Sequence, residues 1–191
     1  QKALCSAAVF GNEGIVKMLL EREDCNPNQI PTGFPRTPLS IAAFNGCEGV
    51  VKMLLEREDV NPNLPATNAG QTPLFEAAMR GYEGIVKMLL DRTDVRIDIG
   101  DYANQTPLSK VCELGHEGVV KVLLNQEGVN PNHADRKYGR KPPSWTAVRG
   151  HERLVNMLLK RKDILTDILD NNKQTPLLPI SQGHHRIAKV L

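Results

Sequence analysis

The 191-residue chain carries a formal net charge of +2 and is 40% apolar but only 4% aromatic. That balance excludes a nucleic-acid or anionic-membrane surface built on bulk charge, and no apolar run reaches the roughly 18 residues that span a bilayer. So few rings suit thin layers of Leu, Val and Ala better than one thick core, and no signal-peptide pattern opens the chain.

A unit returns along the sequence. Gly11, Gly46, Gly81, Gly115, Gly150 and Gly183 stand 33 to 35 residues apart, and a period in this range predicts a stacked array whose product is a surface. The first copy opens at Lys2-Ala3-Leu4, runs to Gly11, and continues from Glu13 to Leu20 as a second helix. Asp24-Cys25-Asn26-Pro27-Asn28 follows, where Asn and Pro predict turns and an extended connection.

The second copy states the pattern most clearly. Thr37-Pro38-Leu39 is a helix start: threonine caps the free amides, and proline suits the first helical position. Leu39, Ala42 and Ala43 fall at i, i+3 and i+4 on one face, and Gly46 ends the helix. Glu48 opens a second helix with Val50, Val51, Met53, Leu54 and Leu55 as its apolar set. Glu48 and Lys52 lie four apart with the acid first, as do Glu13/Lys17, Glu83/Lys87 and Glu117/Lys121. That is the favourable order for a helical ion pair, so these lysines read as a solvated outer face. Asp59-Val60-Asn61-Pro62-Asn63 closes the unit.

Thr72-Pro73-Leu74 and Thr106-Pro107-Leu108 open the next two copies. In the fifth, Lys141-Pro142-Pro143 replaces Thr-Pro-Leu and removes both the cap and a core leucine. In the sixth, Thr175-Pro176-Leu177 sits one residue closer to its glycine, and Pro179 falls inside the helix. An interior proline costs about 3 kcal/mol, so the fifth and sixth copies are expected to be the least stable.

These stretches resemble the ankyrin repeat. Gly70-Gln71-Thr72-Pro73-Leu74, the Ala42-Ala43 and Ala77-Ala78 pairs, Gly115-His116-Glu117-Gly118-Val119-Val120 and the Val60-Asn61 step match its pattern over essentially the whole chain. The resemblance implies an all-α solenoid of about six helix-turn-helix units joined by hairpin-like loops, divided near 1–28, 29–63, 64–98, 99–132, 133–166 and 167–191. The run Leu55 to Asn63, with Ser40 and Ser109 after Thr-Pro-Leu, is similar to arrays in multidomain proteins of filamentous fungi. There the array often follows a nucleotide-triphosphatase domain. Gln1 is not a start methionine and neither end looks like a polar cap, so a piece of a longer array is expected.

No catalytic constellation stands out: there is no phosphate-cradling Gly-Lys-Ser/Thr loop, no Gly-x-Ser-x-Gly and no His-Glu-x-x-His. Glu21, Glu23, Asp24, Glu56, Glu58 and Asp59 recur in register at helix ends, where Arg22, Arg57 and Arg92 offset their unfavourable position on the dipole. The four cysteines fall one per register, without a close pair, as free thiols would. His116 and His151 are the resembled family's Gly-His. No enzyme, cofactor or metal is expected.

Residues that keep the period build the stack, and residues that break it can specify a partner. The two positions before each turn glycine break it throughout: Val9-Phe10, Phe44-Asn45, Met79-Arg80, Glu113-Leu114, Val148-Arg149 and Ser181-Gln182. Helical spacing sets Ile41 with Phe44 and Asn45, away from Leu39 and Ala42, and the same offset gives Glu76, Lys110 and Trp145. The resemblance implies that this face and the hairpin tips line a partner-binding groove, with Phe34, Tyr102 and Tyr138 at the tips. Phe10, Phe44, Met79, Leu114, Val148 and Trp145 would make an apolar stripe edged by charge; the alternative is that some of them fill gaps between adjacent repeats, which is the reading favoured for Trp145. The expected product is a protein- or peptide-binding module, cytoplasmic or nuclear, monomeric, without nucleic acid or membrane. A spacer or sensor segment of a larger switch protein is the second expectation.

Overall fold

The computed structural model describes residues 2–66 and 68–175, which form ten helices and no strand. They pair in order as α1 (Lys2–Val9) with α2 (Glu13–Leu20), α3 (Pro38–Asn45) with α4 (Glu48–Leu55), and α5 (Pro73–Arg80) with α6 (Glu83–Leu90). The fourth and fifth pairs are α7 (Pro107–Leu114) with α8 (Glu117–Leu124), and α9 (Pro142–Arg149) with α10 (Glu152–Leu159). Each first helix packs on the next first helix and each second on the next second, so the array has two helical layers. Ser181-Gln182, Pro179 and the last repeat glycine lie outside the described residues.

Local chemistry sets the helix ends. The Oγ1 atoms of Thr37, Thr72 and Thr106 accept the amides of Ser40, Phe75 and Ser109, each at 3.2 Å, with proline at the first helical position every time. Lys141 begins α9 without such a bond, as its sequence predicts. Gly46, Gly81 and Gly115 end the first helices at φ of 76°, 76° and 84°, a left-handed conformation that side chains other than glycine resist. A second reason for glycine comes from the next repeat. A Cβ on Gly46 would lie 2.9 Å from the ring of Tyr82, and on Gly115 2.6 Å from the ring of His151. The His116 and His151 Nε2 atoms in turn donate to the carbonyls of Met79 and Glu113 at 3.1 Å. Each histidine thus closes over the preceding glycine and satisfies a carbonyl of the helix that glycine ends.

The core is a line of Leu, Val, Ile and Ala running through all five pairs. Leu39, Leu54, Leu74, Leu89, Leu108 and Leu123 are among its fully buried members. Backbone hydrogen bonds tie successive hairpins at three junctions, Tyr102 N–H to Ala69, Arg136 N–H to Ala103 and Asn171 N–H to Tyr138, and the Asn104 and Asn171 side-chain amides add bonds to the carbonyls of Ala134 and Lys137. The four cysteines lie apart as free thiols, and burial pushes those of Cys5 and Cys112 up.

The opposite edge carries a second ladder. Asn28 donates to the carbonyl of Asp59 and accepts the amide of Asn61. Asn63 bonds Asp94 and Arg96 in the same way, and Asn132 bonds Asp163 and Leu165. Beside these, Arg57, Arg92 and Arg161 each grip the aspartate two residues on through two bonds and reach back to a carbonyl of the preceding repeat, among them Leu20 and Leu124. The hydrogen bond from each arginine holds Asp59, Asp94 and Asp163 below the usual carboxylate range. The offsetting role expected of these arginines is therefore structural: they cap the helix of the neighbouring repeat as well as facing their own acid.

One junction departs on both counts. Between the third and fourth pairs, Asp98 stands where Asn28 and Asn63 stand, and Gln126 stands where Arg57 does. Asp98 Oδ2 accepts the amide of Asn130 at 2.7 Å, but Oδ1 is buried without a partner, because a carboxylate has no N–H to offer. Burial pushes the Asp98 carboxyl up, against the pull of the Asn130 amide and His133. A hollow of about 350 Å³ lined by Arg96, Asp98, Ile99, Glu127 and Gly128 adjoins it.

Asp98→Asn is expected to raise stability by about 1 kcal/mol at neutral pH by restoring the missing donor. Because Asp98 binds its proton more tightly when folded, its share of stability is full below the ordinary carboxylate range and is lost as pH rises through its folded value. The gain from Asp98→Asn therefore shrinks on acidification, and urea melts that show a pH-independent difference would contradict it. Lys141→Thr is expected to add about 1 kcal/mol by supplying the absent cap, read as a higher urea midpoint.

Candidate functional site

Period-breaking side chains gather where the first helices meet the hairpins. The residue before each helix cap varies only between arginine and glutamine: Arg36, Gln71, Gln105 and Arg140. All four reach over the first-helix face. Arg36 Nε donates to Glu76 Oε1 at 2.6 Å, Gln71 Nε2 lies 4.0 Å from Met79 Sδ, Gln105 Nε2 donates to Glu113 Oε2 at 3.4 Å, and Arg140 lies over two rings. Sequence reasoning missed this column, although its departure from the period was the signal that could have found it.

Over Phe44 of α3, the guanidinium carbons of Arg36, from the loop before that helix, and Arg80, from α5, sit 4.4 and 3.9 Å from the ring centroid. Phe44 is thus covered by two cations and is half-buried. Glu76 is fully buried and pairs with Arg36. Burial pushes its carboxyl up against the pull of Arg36 and Arg80, and Glu76 Oε2 has no partner.

This face holds a cleft of about 330 Å³ bordered by α7, α9 and the hairpin between them. Its acids are fully engaged. Glu113 accepts Lys110 Nζ at 2.9 Å and Arg149 Nη2 at 2.7 Å, with Gln105 as a third donor. Burial opposes ionisation of Glu113, but these neighbours hold its carboxyl below the usual range. Asp135 accepts the amides of Tyr138 and Arg140 at 2.7 and 3.1 Å and the Trp145 indole N–H at 3.2 Å. Trp145 meets Tyr138 edge-on at 5.7 Å, and the Arg140 guanidinium lies 4.8 and 5.0 Å from their centroids. Each cleft carboxylate is thus engaged by three donors, which fixes the walls of the cleft. Among the described residues no group of three acid, histidine or cysteine side chains is placed to hold a metal.

The residues expected on this face divide. Phe10 at 76% exposure, Tyr102 at 62% and Leu114 at 42% are open, as are Asn45, Arg80 and Arg149. Phe44, Met79, Lys110, Glu113, Tyr138 and Val148 are half-buried. Ile41, Glu76 and Trp145 are buried, so the exposed stripe drawn from helical spacing is narrower than expected. For Trp145 the filler role is the one its burial matches. Asn45 spends its amide on the carbonyl of Ile41 at 3.0 Å, and Tyr102 packs over Gly70, where a Cβ would come within 2.5 Å of its ring.

A profile of ankyrin repeats in three copies matches residues 4–101 and again 61–135. The chain belongs to the ankyrin-repeat family. Its structure superimposes on the crystal structure of EF0377, an ankyrin repeat protein, with a TM-score of 0.89 at 24% identity, over 98% of this chain and 95% of that one. That likeness shows the fold. Among curated proteins none matches the chain in sequence. Ankyrin repeats are generally protein–protein interaction modules, and no described helix is long and apolar enough to cross a membrane.

In this ankyrin array the only tryptophan is a built-in reporter of the cleft. Trp145→Phe is expected to cost about 1–3 kcal/mol, since it leaves a buried Asp135 oxygen short of a donor. Wild-type emission should be blue-shifted and poorly quenched by iodide. Ready quenching in the folded protein would be inconsistent with the burial of Trp145.

Proposed function

We propose that this ankyrin array is a non-catalytic recognition module that takes a protein or peptide along the face of its first helices and hairpin tips. One observation carries the reading. Side chains that repeat in register fill the core or the solvated outer helices, whereas the two positions before each turn glycine vary in every copy and, among the described residues, lie on the first-helix face. Phe10 and Leu114 are large apolar groups left open on it, a feature characteristic of interfaces, and Arg80 and Arg149 supply the residue type favoured at binding anchors. The proposal needs no cofactor or nucleic acid and treats the chain as a cytoplasmic monomer of the kind found in fungal multidomain proteins. The alternative, a segment that contacts other domains of its own larger switch protein, uses the same face but no separate partner.

The test is a crosslinked pull-down with the 191-residue chain, repeated with Leu114→Glu, Arg80→Glu and the outer-helix control Met88→Glu. Loss of one and the same partner in the first two variants, with thermal melts unchanged, is the expected outcome. A partner lost only with Met88→Glu would move the site to the outer layer and defeat the proposal. A full-length protein whose own domains compete away every partner would favour the alternative.

A further inference from the structure

A net charge of +2 conceals a separation of charge. The acids at the ends of the second helices, among them Glu21, Glu23, Glu56 and Glu58, sit on the edge away from the first-helix face. That face gathers Arg36, Arg80, Lys110, Lys137, Arg140 and Arg149. Its acids are spent internally. Asp135 is 4% exposed and accepts three N–H groups. The Glu113 side chain is 11% exposed and accepts three donors. The cations keep capacity. The Arg149 side chain is 52% exposed and uses one nitrogen on Glu113. Lys137 is exposed beside the Tyr138 ring and makes no ion pair among the described residues. Arg140 is positioned by two rings and reaches its one carboxylate, Asp170, only at 3.4 Å.

The geometry points to an acidic peptide as the occupant of the cleft between the fourth and fifth helix pairs, with a carboxylate side chain entering beside Lys110, Arg140 and Arg149. The inference rests on the reading of this face as a protein-binding surface and adds the chemistry of the partner. Arginine's planar fork accepts a carboxylate through two bonds, and a guanidinium already held against rings loses little freedom on binding. A volume of about 330 Å³ accommodates a side chain and its neighbours. A nucleic-acid strand would instead need open rings for its bases to stack on. Here Trp145 is buried and Tyr138 is turned edge-on against it.

The test pans a random-peptide display library on the full chain and labels the best peptide with fluorescein for anisotropy. Its counterpart carrying Asn and Gln for Asp and Glu is measured alongside. Enrichment of Asp and Glu, with binding weakened about tenfold by Arg149→Gln or Lys137→Gln and again by added salt, is the supporting result. A change in Trp145 emission on binding would place the peptide at the cleft. Lys137→Gln leaves the ion pairs of the cleft intact but loses the contact with the Tyr138 ring, so its thermal melt is recorded alongside, and weakened binding with an unchanged melt is the result that supports the proposal. Peptides without acids that ignore both substitutions but are lost with Leu114→Glu would overturn the acidic occupant and leave the binding face standing. Failure to enrich any peptide, or enrichment of peptides lost only with Met88→Glu, would overturn both. Oligo(dT) displacing the peptide at comparable concentration would overturn the choice of a peptide.

Discussion

The contact between a turn glycine and the following repeat, a ring at Gly46, Gly81 and Gly115 and the Cys47 thiol at Gly11, is the constraint on which the stack depends. A left-handed glycine ends the first helix and leaves an open floor; Tyr82, His116 or His151 then covers that floor. The histidines also bond the exposed end of the same helix. Helix termination, layer spacing and carbonyl satisfaction are thus met at one point. Replacing the glycine would raise a backbone strain and a steric clash together, so this position has less latitude than any leucine of the core. With the turn fixed, the first helices must lie side by side, and the face they share is set before any partner is considered.

Much of this was legible in the sequence because it is periodic. Thr-Pro-Leu predicted the caps, and the structure contains them at Thr37, Thr72 and Thr106; Lys141 predicted the missing one. What was not legible lies in contacts between copies. Helical spacing set Ile41, Glu76 and Trp145 on the face opposite Leu39 and Ala42, but spacing within one helix says nothing of what the adjacent hairpin lays over that face. Arg36 closes over Glu76 from a loop forty residues away in sequence, and Asp135 draws the Trp145 indole inward. The column Arg36, Gln71, Gln105, Arg140 escaped notice because attention to helices leaves out the residue just before them. The acidic runs at helix ends were read correctly as surface, but the reach of Arg57, Arg92 and Arg161 into the preceding repeat was invisible in a single unit.

The distribution of charge follows from the same architecture. At the outer edge an arginine meets the aspartate two residues on in four repeats, while the neighbouring glutamates, Glu21, Glu23, Glu56 and Glu58 among them, stay exposed. On the first-helix face each acid is engaged from nearby: Glu113 takes Lys110 and Arg149, Glu76 takes Arg36, and Asp135 takes backbone amides and the indole. Arg149 and Lys137 stay exposed at the rim. Apolar character along this face is accordingly modest. Phe44 is sheathed by guanidinium groups and Trp145 is withdrawn, so recognition there would be governed more by directional polar contacts than by greasy area.

The junction occupied by Asp98 and Gln126 has a consequence for how the array comes apart. A linear stack loses structure by moving a boundary between folded and unfolded units, and that boundary rests wherever the coupling between neighbours is least. Here two of the edge contacts that couple adjacent units are missing together, with a hollow beside them. The edge ladder is thinnest between the third and fourth helix pairs, although α5 still packs on α7 there, so a boundary resting at this junction would divide three of the described helix pairs from two. The proposed acidic-peptide cleft lies between the fourth and fifth pairs, beyond that junction. A ligand held there would tighten those two pairs and leave the junction itself untouched.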